Sequence, residues 1–269
     1  MYSFQTSVTS LVASQNLRAN SDFQSRTITR LTSGYRINSA GDDAAGLAVA
    51  NQFRSNVAEL TQGVRNGNDA IGTLQGIDGG LSNVSNILDR LKTLATQSAS
   101  GTFTGDRGTL DSEFQTLVGE IDRQADNIGL GSTTSTNASS LSVYIGGASP
   151  TVTVDLSSGA VDSGTLGIDS QDITSESGAT DAIAAINDAI SSLGTTQGVI
   201  GAGENELGYA VSLAQSQITT LSAANSNIRD ADVATEAANL TKAQVLQQSS
   251  VAALSQANSA PQGLMKLLQ

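Results

Sequence analysis

Apolar residues recur with alternating four- and three-residue spacing from Phe53 through Val57, Leu60, Val64, Ile71, Leu74, Leu81, Val84, Leu88, Leu91 and Ala95. Gly67 and Asp78 fill the two gaps, so the stripe persists for about six heptads. The only prolines are Pro150 and Pro261, which leaves this region free of the strongest helix breaker. At 1.5 Å per residue the helix would run for roughly 65 Å. A compact globule of this chain length would be only about 50 Å across, so the pattern predicts a rod.

A second seam runs through Ile183, Ile186, Ile190, Leu193, Ile200, Leu207, Val211, Ala214, Ile218, Leu221 and Ile228, with Gln197, Glu204 and Asn225 interrupting it in phase. Two such stripes bury themselves against each other or against other chains. Leu110, Phe114, Leu117 and Ile121 mark a shorter third helix. The glycines of the first seam (Gly63, Gly67, Gly72, Gly76, Gly79 and Gly80) each cost up to about 1 kcal/mol against alanine in a helix. They are expected where backbones pack closely.

Between Gly129 and Gly178 the chain turns rich in Ser, Thr and Gly. Val152, Val154 and Leu156 alternate with Thr151, Thr153 and Asp155, the period of a strand, after a turn in "GGASP". The expected architecture is mainly α: a long antiparallel helical coiled-coil rod with paired terminal helices and a small β-hairpin insertion. Its divisions fall at 1–44 and 229–269 for the terminal helices, 45–130 and 179–228 for the rod, and 131–178 for the insertion.

The two ends carry apolar side chains sparsely. A buried leucine contributes about 1.5 to 3 kcal/mol, against about 1 to 2 kcal/mol per residue for ordering the backbone. Neither end is expected to hold a helix alone in water, whereas each can do so packed against copies of itself.

Composition narrows the chemistry. There is no histidine, cysteine or tryptophan, and aromatics make up 3%. The usual general base, the commonest metal ligand and the thiolate are therefore all missing, and the reading is not an enzyme, with no cofactor. A net charge of −12 speaks against nucleic acid and anionic membrane surfaces. No run of about 18 apolar residues offers a membrane span, and the first twenty residues lack the basic and apolar regions of a secretory signal.

"LTSGYRINSAGDDAAGLAVANQF" at residues 31–53 and "NIRDADVATEAANLTKAQVLQQSSVAALSQANSAPQGLMKLL" near the other end resemble the N- and C-terminal hallmarks of the bacterial flagellins. The resemblance implies terminal helices paired in an inner core, a helical rod domain bearing a β-hairpin, and a minimal form without large outer domains. It implies a structural subunit that self-assembles into the extracellular flagellar filament, with a hook–filament junction protein of the same architecture as the alternative. Implied partners are further copies of the chain, the flagellar cap, junction proteins, an export chaperone and host innate immune receptors. Secretion would follow the flagellar type III route.

Within that resemblance residues 31–53 form a joint. Gly34, Gly41 and Gly46 permit bends, and Asp42 or Asp43 caps the helix starting near Ala44. Arg36, Asn38, Ser39, Asp42, Asp43 and Gly46 match the peptide sensed by a plant receptor kinase, with Gly41 where a lysine is usual. Arg90, Leu94 and Gln97, spaced to share a helix face, and Glu113 match the segment bound by the vertebrate Toll-like receptor for flagellin. "STTSTNASSLS" is a flexible linker or an O-glycosylation tract.

Overall fold

The computed structural model describes residues 8–131, 140–147, 150–156 and 159–267, with side chains as far as Ser259. Most of the Ser/Thr tract lies outside the described residues. The elements in order are α1 (Val8–Ser33), α2 (Ala44–Ser98), α3 (Arg107–Asn127), β1 (Leu141–Tyr144), β2 (Thr151–Val154), α4 (Glu176–Arg229) and α5 (Val233–Leu267). They fall into two compact units, one of Met1–Ser55 with Thr220–Gln269 and the other of Asn56–Thr219.

In the Asn56–Thr219 unit the helices pack antiparallel, with Gly67 of α2 against Val211 of α4 and Gly101, just beyond α2, near Glu176. The buried seam of α2 is Leu60, Gly63, Gly67, Ala70, Leu74, Ile77, Leu81, Val84, Leu88, Leu91 and Ala95. On α4 it is Ala179, Ala182, Ile186, Ala189, Leu193, Thr196, Ile200, Gly203, Leu207, Val211 and Ala214. The heptad spacing expected from the sequence is present, but seven of its positions shift by one residue. Gly63, Ala70 and Ile77 take the seam in place of Val64, Ile71 and Asp78; Ala182, Ala189, Thr196 and Gly203 take it in place of Ile183, Ile190, Gln197 and Glu204.

At six of these positions the reason is close packing, which admits the smaller of two adjacent residues and turns the larger to the flank; Ile77 displaces Asp78 because the seam favours an apolar side chain over a carboxylate. A Cβ at Gly63 would strike the main chain of Ile145, one at Gly67 would lie 2.5 Å from Val211 Cγ2, and one at Gly203 2.6 Å from Val154 Cγ1. Of the six glycines named from the sequence pattern, Gly63, Gly67 and Gly80 meet neighbours in this way, whereas Gly72, Gly76 and Gly79 face open space.

The hairpin is antiparallel, with Leu141 opposite Val154 and Tyr144 opposite Thr151. It is fastened to α2 by Tyr144 Oη donating to Glu59 Oε1 at 2.7 Å and by Asn66 Nδ2 donating to the Tyr144 carbonyl at 3.0 Å. After the hairpin the described residues of the expected insertion form a strap without strands that buries Val161, Leu166, Ile168 and Ile173. Carboxylates of α3 hold it: Asp122 accepts from Ser163 N at 2.7 Å, and Asp111 from Ile173 N at 3.1 Å.

Candidate functional site

The Met1–Ser55 and Thr220–Gln269 unit buries few large side chains in its helix pair and leaves several large apolar ones exposed. α1 and α5 pair with each other, antiparallel, as Ser10 Oγ donates to Asn258 Oδ1 at 2.9 Å at one end and Arg30 bonds Glu236 at 3.4 Å at the other. The only residues of α1 that reach burial are Asn20 and Thr27; on α5 the buried ones among described side chains are Glu236 and Ala243. Many of the large apolar side chains point elsewhere. Val8, Leu11 and Val12 of α1 and Val233, Val245 and Val251 of α5 are each about half exposed or more, from 49% to 70%.

The joint between α1 and α2 is built by a different logic. Gly34 ends α1 with φ of 74°, a left-handed conformation that favours glycine. The chain then pairs with the end of α4: Arg36 N donates to the Arg229 carbonyl at 2.6 Å, and Ala231 N to the Gly34 carbonyl at 2.9 Å. Ile37 is 2% exposed. The two aspartates divide the work expected of either. Asp43 Oδ1 accepts from Gly46 N at 2.8 Å and caps α2, while Asp42 turns back to accept from Ser39 N at 3.0 Å and Asn38 N at 3.2 Å.

Those bonds hold the Asp42 carboxyl below its ordinary range, the Ser39 backbone N–H contributing most, then the Ser39 hydroxyl and the Asn38 N–H, with Arg30 adding attraction. At Gly46 no left-handed turn is present; a Cβ there would meet Asp43 and lie 2.9 Å from Ile37 Cδ1. Gly41 likewise bends without a positive φ. Asp232 caps α5 as Asp43 caps α2, accepting from Ala234 N at 2.9 Å.

The six residues matched to the plant epitope therefore lie together in the joint. Arg36 Nη2 donates to the Ile228 carbonyl at 2.7 Å, Asn38 Nδ2 to Ser33 Oγ at 2.8 Å, and Ser39 Oγ to Asp42 at 3.0 Å. All but Gly46 are exposed.

In the other unit Arg90 and Glu113 form an exposed ion pair, Arg90 Nη2 to Glu113 Oε1 at 2.6 Å, and Gln97 is exposed on the same helix. Leu94 departs from the expected face, being 2% exposed within the core. At 100° per residue Leu94 sits 40° from Arg90 toward buried Leu91 and Ala95, whereas Gln97 sits 20° to the other side. The same nominal spacing thus separates an exposed residue from a buried one.

Among the described residues no group of three or more His, Cys, Asp or Glu is placed to hold a metal ion, and no helix is long and apolar enough to cross a membrane. The exposed valines and leucines of the terminal pair form a surface suited to further protein rather than to a small ligand.

Comparison with known proteins agrees. Residues 4–141 match the bacterial flagellin N-terminal helical region, and residues 183–268 the bacterial flagellin C-terminal helical region. The chain belongs to the flagellin family. A flagellin from Listeria innocua is 35% identical over 98% of both chains, and one from Halalkalibacterium halodurans 34% identical over 96% of both. The flagellar filament 30.7 kDa core protein of Treponema maltophilum is 32% identical, covering 97% of this chain and 98% of its own. The flagellins are a family of structural proteins, and these names favour a filament subunit over the hook–filament junction alternative.

Asn20, Arg30, Glu236 and the pair Tyr35 and Arg229 were not singled out from the sequence. For Asn20 a signal did exist: it lies in phase with Ser10, Ala13, Leu17, Gln24 and Thr27 on a heptad line, masked because that line is mostly small and polar.

Proposed function

We propose that this flagellin is a structural subunit that self-assembles into the bacterial flagellar filament for swimming motility. The observation that carries the reading is the terminal helix pair, which exposes valines and leucines and, besides Ala243, buries an amide, a hydroxyl and a carboxylate. Such a pair gains little from its own closure. Contact with copies of the same pair removes the apolar side chains from water and supplies the missing stabilisation.

On this reading residues 1–44 and 229–269 form the inner core, and residues 45–130 and 179–228, with the insertion at 131–178, form the outer rod. The chain leaves the cell through the flagellar type III apparatus with an export chaperone, and meets the cap and junction proteins at the filament ends. The joint residues Arg36, Asn38, Ser39, Asp42, Asp43 and Gly46 present a plant receptor epitope, tested by oxidative burst to a peptide of residues 29–50. Arg90, Gln97 and Glu113 present a Toll-like receptor face; Leu94 supports it from the core. A reporter-cell assay of monomer against an Arg90→Ala variant tests that face.

Electron microscopy after seeded or salt-induced assembly tests the main proposal, with the full chain beside one lacking residues 1–40 and 230–269. Long uniform filaments from the full chain alone are expected. Monomers or short rings from the full chain would instead put the junction-protein alternative ahead.

A further inference from the structure

Asn66 is the only asparagine in the chain that is followed by a glycine, and the fold uses both residues at that point of α2. Asn66 Nδ2 donates to the Tyr144 carbonyl at 3.0 Å, while its Oδ1 accepts from Gln62 Nε2 at 2.9 Å. A Cβ at position 67 would lie 2.5 Å from Val211 Cγ2, so the close packing of α2 on α4 selects the glycine. Together the two requirements create a reactive sequence. A glycine has no side chain to shield its own nitrogen, which can then reach the side-chain carbonyl of an asparagine just before it.

We propose that Asn66 is a hydrolytic modification site, closed while α2 is folded and open while the chain is unfolded, whose conversion unfastens the β-hairpin. In the open chain the Gly67 nitrogen attacks the Asn66 side-chain carbonyl carbon. The bond from that carbon to the amide nitrogen breaks, and ammonia leaves, carrying the former Gly67 N–H proton. Water then opens the cyclic imide at one carbonyl or the other, giving aspartate or isoaspartate. Water is the only other reactant.

Folding blocks the first step in two ways. Attack requires the Asn66 backbone to leave its helical dihedrals, in the interior of a helix that runs from Ala44 to Ser98. It also requires the side-chain amide to turn toward the main chain, away from Gln62 and Tyr144. Reaction in the folded subunit therefore waits on local opening of α2.

Either product spoils the contact with the hairpin. A carboxylate has no proton to give the Tyr144 carbonyl, so acceptor faces acceptor. It also stands one heptad from the carboxylate of Glu59, which accepts from the Tyr144 hydroxyl. Isoaspartate in addition lengthens the main chain of α2 by a methylene and interrupts its hydrogen-bond ladder, beside the close contact of Gly63 with Ile145.

The test compares the folded, unassembled chain with the same chain in urea, both at neutral pH. Peptide mapping by mass spectrometry follows replacement of –NH2 by –OH at each asparagine. Position 66 should convert at least about tenfold faster in urea than in the folded subunit, and faster than any other asparagine of the unfolded chain. Equal rates in the two states would overturn the proposal, as would a faster asparagine elsewhere.

Hydrogen exchange at the Ile145 amide, which donates to the Pro150 carbonyl at 2.6 Å, reads the hairpin. Asn66→Ala should raise it about fivefold through loss of one hydrogen bond, and Asn66→Asp should raise it further. Exchange unchanged in Asn66→Asp would overturn the unfastening. Both measurements use the unassembled subunit, so they stand or fall apart from the filament reading.

Discussion

The guanidinium of Arg229 lies over the ring of Tyr35, 4.2 Å from its centroid. It joins the last residue of α4 to the first residue after Gly34, beside the main-chain bonds that close the joint. A guanidinium over an aromatic face is worth about 0.5 to 1 kcal/mol at an exposed site. Tyr35→Ala should raise hydrogen exchange at the Arg36 and Ala231 amides about fivefold, on the upper end of that estimate. Tyr35→Phe keeps the ring and should leave both rates unchanged.

Two glycines on α2 should respond in opposite senses to alanine. Gly63→Ala drives a methyl into the main chain of Ile145, and such overpacking costs about 1 to 3 kcal/mol. Gly72 faces open space, so Gly72→Ala should stabilise the isolated subunit by up to about 1 kcal/mol through helix propensity. Thermal unfolding of the unassembled subunit measures both.

On α3, the Glu120 carboxyl is pulled from 4.5 to about 2, first by its hydrogen bond from Arg123, then by Gln124, with Arg123 charge attraction adding to them. Because the folded value is depressed, this contribution is present above the ordinary carboxylate value and disappears as pH falls toward about 2. In a carbon-detected titration Arg123→Ala should return Glu120 toward its ordinary value. The pair is exposed, so its removal should leave global stability almost unchanged.

Asp42 behaves likewise at the joint. Its carboxylate is held low by the Ser39 N–H, the Ser39 hydroxyl and the Asn38 N–H. The support is therefore intact above the ordinary aspartate range and lost as pH falls through the lowered value. Protection factors at the Asn38 and Ser39 amides should drop across that window, and Asp42→Asn should remove the pH dependence.

Charge bears on assembly itself. Stacking copies that carry −12 each accumulates repulsion, which salt screens with a Debye length of about 10 Å at 0.1 M. Light scattering should show faster growth at moderate than at very low salt.

The long helices were legible because large aliphatic residues at seven-residue intervals, Leu74, Leu81 and Leu88 on α2 and Leu193, Ile200 and Leu207 on α4, set the phase unambiguously. The intervening seam positions were not, because hydrophobicity points to Val64 and Ile71 while packing space selects Gly63 and Ala70. Asp43 could be read as a cap from its place before Ala44, but nothing in the order "DD" distinguishes it from Asp42. The strap escaped notice because its anchors, Asp111 and Asp122, lie far back along the chain on α3. The joint residues were visible through their family pattern, and the partners that hold them, Ile228 and Arg229, became visible only once the chain was folded.

The exposed apolar side chains of the terminal pair have a kinetic consequence. On the proposed filament reading, two free copies that meet must both order their ends, whereas a copy arriving at a tip meets ends that are already ordered. Growth then requires a nucleus, and a supply of free subunits persists without condensing until an existing end acts as template.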